Sequence, residues 1–212
     1  MKNNITIICG HYGCGKTNFA INLAIEKAKL GEDVVLVDMD VVNPYFRACE
    51  YKDLLEENGI SLISPSMSNT TLDTPSISAA VYSVFNNQGK TVIIDLGGDD
   101  VGATALGMFR EKIEEYEMIY VINKNRIQSS SEEDALVLLR EIEFATKLKA
   151  TSVVNNTHLG VETTEKILLE ALPFAQKFAE ISGLRLLYST APSFCSVDGF
   201  KIIERLVKFP WE

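Results

Sequence analysis

A short apolar run, Ile5 to Cys9, breaks into Gly10-His11-Tyr12-Gly13-Cys14-Gly15-Lys16-Thr17, and a helix-periodic stretch follows at once. The eight residues satisfy G-x-x-x-x-G-K-[ST] in full, with the strand before and the helix after that the pattern requires. Glycine opens backbone angles closed to other residues and lets a ligand approach the main chain, so several amides can converge on one anion. The helix start adds its dipole and its free N–H groups. In such a loop Gly10, His11, Gly13, Cys14, Gly15 and Asn18 would surround a phosphate chain. Lys16 would reach the β- and γ-phosphates, and the Thr17 hydroxyl would ligate Mg²⁺.

The rest of the chain repeats the strand-then-helix rhythm. Strands are expected over Ile5–Cys9, Val34–Asp38, Ser61–Ile63, Thr91–Asp95, Met118–Asn123, Thr151–Asn155 and Arg185–Ser189. Most lack polar alternation, the mark of strands buried on both faces. Helices are expected from Lys16 to Leu30, stopped by Gly31, and from Glu132 to Lys149. The second carries Ala135, Leu138, Leu139, Ile142, Ala145 and Leu148 on one stripe and has serines before it to cap it. A third, Glu162 to Ser182, is interrupted by Pro173 and should kink or divide there. These alternating elements predict one α/β domain over 1–212: a doubly wound, mostly parallel sheet with helices on both faces. The polar stretch 64–76 reads as a long surface loop, a frequent place for function.

Twenty basic residues against 29 acidic ones give a net charge of -9, which argues against binding a nucleic-acid backbone but leaves a bound nucleotide open, since local dipoles can override net charge. The four cysteines, Cys9, Cys14, Cys49 and Cys195, form no CxxC pair, so neither a zinc site nor a disulfide framework is suggested, and reduced thiols fit a cytoplasmic protein. The first apolar run is too short for a signal peptide or a membrane span.

A phosphate loop needs carboxylates for the metal and for water. "VVLVDMD" ends in Asp38 and Asp40, and "TVIIDLGG" brings Asp95 and then Gly98. Acids at the carboxyl tips of parallel strands face the ligand crevice. Asp95 would hold the magnesium through a water, Asp38 would assist, Gly98 would offer its N–H to the γ-phosphate, and Asp40 would polarise the attacking water. Asp99 and Asp100 serve equally well as turn or capping residues.

GHYGCGKT, LVDMDVVNPYFR, IIDLGGDDVGA and VVNN, in that order, resemble the MinD/ParA/CobQ/CobB nucleotide-binding family, a deviant-Walker branch of P-loop proteins. The resemblance runs from Ile5 to about Pro192. It implies the fold of P-loop NTPases, Mg-ATP as ligand, often a nucleotide-dependent homodimer or a partner protein, and a water-activating role for Asp40, with Lys16, Asp40 and Asp95 as the catalytic set. Many members carry a lysine after the first loop glycine that reaches a partner's phosphates across a dimer. His11 stands there in this chain. A protonated imidazole could partly replace that ammonium, or the ring could simply face solvent.

Base choice points to adenine. A guanine reader needs N-K-x-D, whereas Asn123-Lys124-Asn125-Arg126 ends in arginine. Asn155, with Asn156 second, is the candidate for the adenine edge, because an amide donates and accepts at once; both could instead cap a turn. Arg47 could touch phosphate or a partner subunit, or equally be a solvated loop residue. Cys14 reads as a small filler, and His158, alone without a metal partner, as structural. The tail "DGFKIIERLVKFPWE" has helical spacing, with Phe200, Ile203, Leu206 and Val207 on one face, and is expected to pack on the sheet rather than bind a membrane. The expected activity is that of a slow switch ATPase. A non-hydrolysing ATP sensor, or a small-molecule ligase or kinase related to dethiobiotin synthetase and the cobyrinate-amidating enzymes, are the alternatives.

Overall fold

In chain order the strands are β1 (Asn4–Cys9), β2 (Val34–Asp38), β3 (Ser61–Ile63), β4 (Thr91–Asp95), β5 (Glu117–Ile122), β6 (Ser152–Asn155), β7 (Arg185–Pro192) and β8 (Lys201–Ile203). They lie side by side as β3-β2-β4-β1-β5-β6-β7-β8, and every neighbouring pair is parallel. The computed structural model describes residues 4–40, 48–64, 79–86, 89–98 and 100–207. Arg47, Asp99, the stretch 65–76 and the end of the tail from 208 lie outside the described residues.

The helices are α1 (Lys16–Lys29), α2 (Lys52–Glu57), α3 (Ala79–Asn86), α4 (Asp100–Gly107), α5 (Glu132–Thr146), α6 (Glu165–Glu170) and α7 (Leu172–Ser182). Side chains along a strand point alternately to the two faces, and both faces are covered. Ile5, Ile7 and Cys9 of β1 join Met118, Tyr120 and Ile122 of β5 in one core with Leu106 of α4, Leu139 of α5 and Phe178 of α7. Ile8, Ile119 and Val121 face the other way, onto Phe19, Ala20, Ile21 and Ala24 of α1 and Leu55 of α2. Burying each large side chain this way contributes about 1.5–3 kcal/mol. The buried Tyr120 hydroxyl donates to Ala135 O at 3.0 Å, so its burial leaves no stranded polar group.

The helix ends follow the residues at them. Gly31 adopts φ 84° and closes α1, its N–H donating to Ala28 O at 2.9 Å. Ser131 Oγ accepts from the Asp134 N–H at 3.1 Å and starts α5, a cap that stabilises by about 1 kcal/mol. α5 stops at Thr146 rather than Lys149, because Lys147 turns left-handed (φ 57°). Pro173 sits in the first turn of α7, where its missing N–H costs nothing, so the expected break falls between α6 and α7.

The tail departs from expectation. Lys201–Ile203 is a strand against β7, not a helix, and residues 204–207 continue as a strap over α1. Its apolar residues do pack on the body: Ile203 is buried, and Leu206 and Val207 lie against the α1 core. A three-residue strand is too short for its period to be told from a helix's. Among the described residues no helix is long and apolar enough to cross a membrane.

From β1 the chain first builds one side of the sheet, β2, β3 and β4, and then crosses to β5 on the other side of β1. The order reverses at β1, and in sheets of this kind the ligand crevice opens at the carboxyl ends of the strands at that point. The glycine-rich loop leaves β1 there.

Candidate functional site

Gly15 precedes α1 with φ 86°, and a Cβ added to it would collide with the Asn156 amide. That amide does the work of holding the loop: Asn156 Nδ2 donates to Cys14 O at 2.8 Å, while its Oδ1 accepts from the Thr190 hydroxyl at 2.5 Å. Arg126 Nε donates to Gly13 O at 2.6 Å. Two donors from beyond β5 and β6 thus occupy loop carbonyls, and among the described residues no backbone carbonyl accepts from the N–H of Gly13, Gly15 or Thr17. This leaves amides for an anion. Lys16 is buried and its ammonium donates to His11 O at 3.2 Å. Gly98 presses on the same loop, since a Cβ there would lie 2.8 Å from Tyr12 N and 3.1 Å from Lys16 Nζ.

A cavity of about 210 Å³ opens above. Gly13, Gly15, Lys16, Thr17, Asn18 and Asp40 line it from the loop side; Arg126, Asn156, Thr157 and His158 form a second wall; Thr190, Ile203, Arg205 and Val207 form a third. Gly10 and Cys14 are buried beneath the loop, and His11 is half-buried outside the cavity lining. Partial burial and the Lys16 charge lower the His11 pKa, so its imidazole is neutral at pH 7. Burial raises the Cys14 thiol, and it packs in the apolar core as a filler. Cys9, Cys14 and Cys195 are free thiols.

Asp38 and Asp95 lie under the cavity, both fully buried, as register partners at the ends of β2 and β4. Asp38 Oδ1 accepts from the Asp40 N–H at 3.0 Å, which draws Asp40 over the strand end to the cavity wall. Among the described residues neither carboxylate oxygen of Asp95 has a hydrogen-bond partner. Burial, and then the Asp38 charge, raise its pKa to about 7 against the pull of Lys16 and the nearby Thr17 hydroxyl. An orphaned buried carboxylate beside a hydroxyl fits a hard divalent cation, whose other ligands would be phosphate oxygens and water. The described residues contain no cluster of three or more His, Cys, Asp or Glu that could bind a metal without them.

Asn155 does not line the cavity. Its Nδ2 donates to Ser189 Oγ at 3.0 Å and its Oδ1 accepts from the Thr157 N–H and hydroxyl, at 3.2 and 2.7 Å. With these bonds made and almost no exposed surface, it braces the turn that carries Asn156 and His158. Asn18 does line the cavity, but its amide serves the strap, accepting from Leu206 N at 2.8 Å and donating to Glu204 O at 3.0 Å. Sequence reasoning missed Arg126, Thr157, Thr190 and Arg205 as cavity residues and read His158 as structural. The polar clusters after β5 and β6 were the available signal, because they follow carboxyl ends of strands.

No family model matches this chain, and no curated protein sequence matches it. Solved structures do. The Signal Recognition Particle 54 kDa protein of Aeropyrum pernix, in complex with GDP, superposes with a TM-score of 0.57 at 21% identity, over 89% of this chain and 41% of that one. Cell division protein FtsY of Thermotoga maritima gives 0.57 at 19%, over 90% and 62%. Chloroplast FtsY of Physcomitrella patens gives 0.61 at 15%, over 95% and 62%. The chain spans between about two fifths and three fifths of the length of these structures. Together with the loop and its flanking elements, they show the fold to be the α/β fold of P-loop nucleotide-binding proteins.

Proposed function

We propose that this chain binds Mg-ATP at the loop Gly10–Thr17 and acts as a slow switch ATPase of the MinD/ParA-like kind. The observation that carries the reading is the convergence of Lys16, Thr17, Asp40 and the orphaned Asp95 carboxylate on one loop rich in free amides. Lys16 would move from His11 O to the phosphates, a short swing of a flexible chain. Thr17 and Asp95, with Asp38 behind, would hold Mg²⁺, which when bound neutralises charge on the phosphates. Asp40, at the cavity wall, would polarise the attacking water. His11, its pKa lowered by partial burial and then by the Lys16 charge, stands where the MinD/ParA-like family carries lysine, which supports slow hydrolysis and leaves a sensor that binds without turnover as the limiting case.

Calorimetry tests this directly. Mg-ATP should bind, Lys16→Ala should weaken it by roughly a hundredfold or more, and phosphate release should be slow but above background. Guanine is the second reading, favoured by the GDP bound to one structural neighbour. Competition between Mg-ATP and Mg-GTP decides it. Arg126, standing where a guanine reader carries the acid that pairs with the guanine edge, supports ATP. A homodimer or partner complex that forms only with nucleotide belongs to the same proposal, and light scattering with and without Mg-ATP checks it.

A further inference from the structure

His158 is fixed in the cavity wall through its own backbone. Asn123 Nδ2 donates to the His158 carbonyl at 3.2 Å, and Asn123 Oδ1 accepts from the His158 N–H at 3.4 Å. The Gly160 N–H donates to His158 Nδ1 at 3.2 Å. A ring nitrogen that accepts carries no proton, so the proton of the neutral imidazole sits on Nε2. Burial, then the charges of Arg126 and Arg205, lower its pKa to about 4 and keep the ring neutral at pH 7. Nε2 has no hydrogen-bond partner among the described residues. It faces Gly15, where an added Cβ would lie 3.0 Å away.

We infer that His158 is a nucleotide-contacting residue whose Nε2–H donates to a non-bridging oxygen of the phosphate chain. This rests on the proposal that the loop binds a nucleotide. A single N–H donor beside the first turn of α1, with two guanidinium groups acting on it, suits an anionic oxygen better than the mixed donor and acceptor edge of a base. The contact also accounts for three side chains whose hydrogen bonds stay within the protein. Asn123 and Asn155 brace the two ends of the 155–158 turn, and Thr157 ties it to the segment after β5 by accepting from the Lys124 N–H at 3.1 Å. Their joint effect is to hold one imidazole still.

The test uses the full chain and Mg-ADP. His158→Ala should weaken Mg-ADP roughly tenfold, and His158→Gln, which keeps a donor, should stay within about threefold of wild type. Mg-GDP should lose as much as Mg-ADP, because the contact is to phosphate. The chain has two histidines, so long-range ¹⁵N–¹H spectra resolve His158 once His11→Gln removes the other. They should show the Nε2–H tautomer without ligand, and a shifted, slowly exchanging Nε2 proton with Mg-ADP. If His158→Ala binds like wild type, if the loss is confined to one purine, or if the Nε2 signal ignores Mg-ADP, the assignment falls while the site stands. If wild type binds no nucleotide, the proposed function falls and this inference with it.

Discussion

Asp38 and Asp95 are direct register partners at the carboxyl ends of the adjacent parallel strands β2 and β4, both wholly buried. Two like charges so placed cannot both ionise freely, and the carboxyl of Asp95 rises to about 7 through burial and the Asp38 charge. In the unfolded chain it titrates near 4. Between about pH 4 and 7 the native state therefore holds a proton that the unfolded state has lost, and stability falls as pH rises through that window. Asp95→Asn removes the charge with little change of shape. In nucleotide-free protein it is expected to flatten this fall and to be more stable than wild type at pH 8 by on the order of 2 kcal/mol. Urea unfolding of both proteins at pH 5 and pH 8 measures it; parallel pH slopes would show that Asp95 carries no such penalty. Under the proposed function, the same substitution should weaken Mg²⁺-dependent nucleotide binding.

Much of this site was legible because its parts lie along the chain in a fixed order. The loop from Gly10 to Thr17 is a local pattern, and acids at the ends of apolar runs are local too: Asp38 and Asp95 close β2 and β4, and Asp40 follows two residues beyond. What stayed hidden was which way a polar side chain faces. Asn155 and Asn156 are adjacent, and a strand end sends them to opposite jobs: one braces a turn and the other holds the glycine-rich loop. Nothing in the order of residues distinguishes them. His158 reads as structural for want of a metal partner, and its surroundings come from Gly15, Arg126 and Arg205, far away in sequence. The tail misled for a different reason, since its strand is set by a vacant edge of β7 rather than by its own pattern.

Glu143 offers a test of the scaffold apart from the site. It is an acid with 2% of its side chain exposed on α5, where it accepts from Arg140 at 2.7 Å, Lys149 at 2.8 Å and the Ala150 N–H at 3.0 Å. Burial alone would raise its pKa, but these donors outweigh it and the net shift is downward. A depressed carboxylate adds stability above its unfolded pKa, near 4.3, and loses it as pH falls through the folded value. Glu143→Gln keeps the shape but weakens three charge-assisted bonds, and is expected to cost about 1–3 kcal/mol at pH 7. The gap from wild type should close as the pH is taken well below 4. A cost that persists undiminished in acid would mean that packing, not charge, is what Glu143 supplies.

The strap 204–207 is held to α1 by two asparagines one helical turn apart. Asn18 Oδ1 accepts from the N–H groups of Leu206 and Val207 at 2.8 and 3.1 Å, and Asn22 pairs with Glu204 through both its N–H, at 2.8 Å, and its carbonyl, at 2.9 Å. These side chains act as a short substitute for a neighbouring strand. Asn18→Ala should therefore speed amide hydrogen exchange at Leu206 and Val207 by roughly tenfold or more, and Asn22→Ala should do so at Glu204, since each bond is worth about 1 kcal/mol. The two differ at the cavity. Asn18 lines it, and the strap brings Arg205 and Val207 to its wall, whereas Asn22 lies outside. Under the proposed function, Asn18→Ala should raise the nucleotide dissociation rate several-fold, and Asn22→Ala should raise it less. Exchange rates unmoved in both variants would show that the strap is held by Ile203, Leu206 and Val207 in the core. A faster exchange without faster dissociation would separate the strap from nucleotide retention.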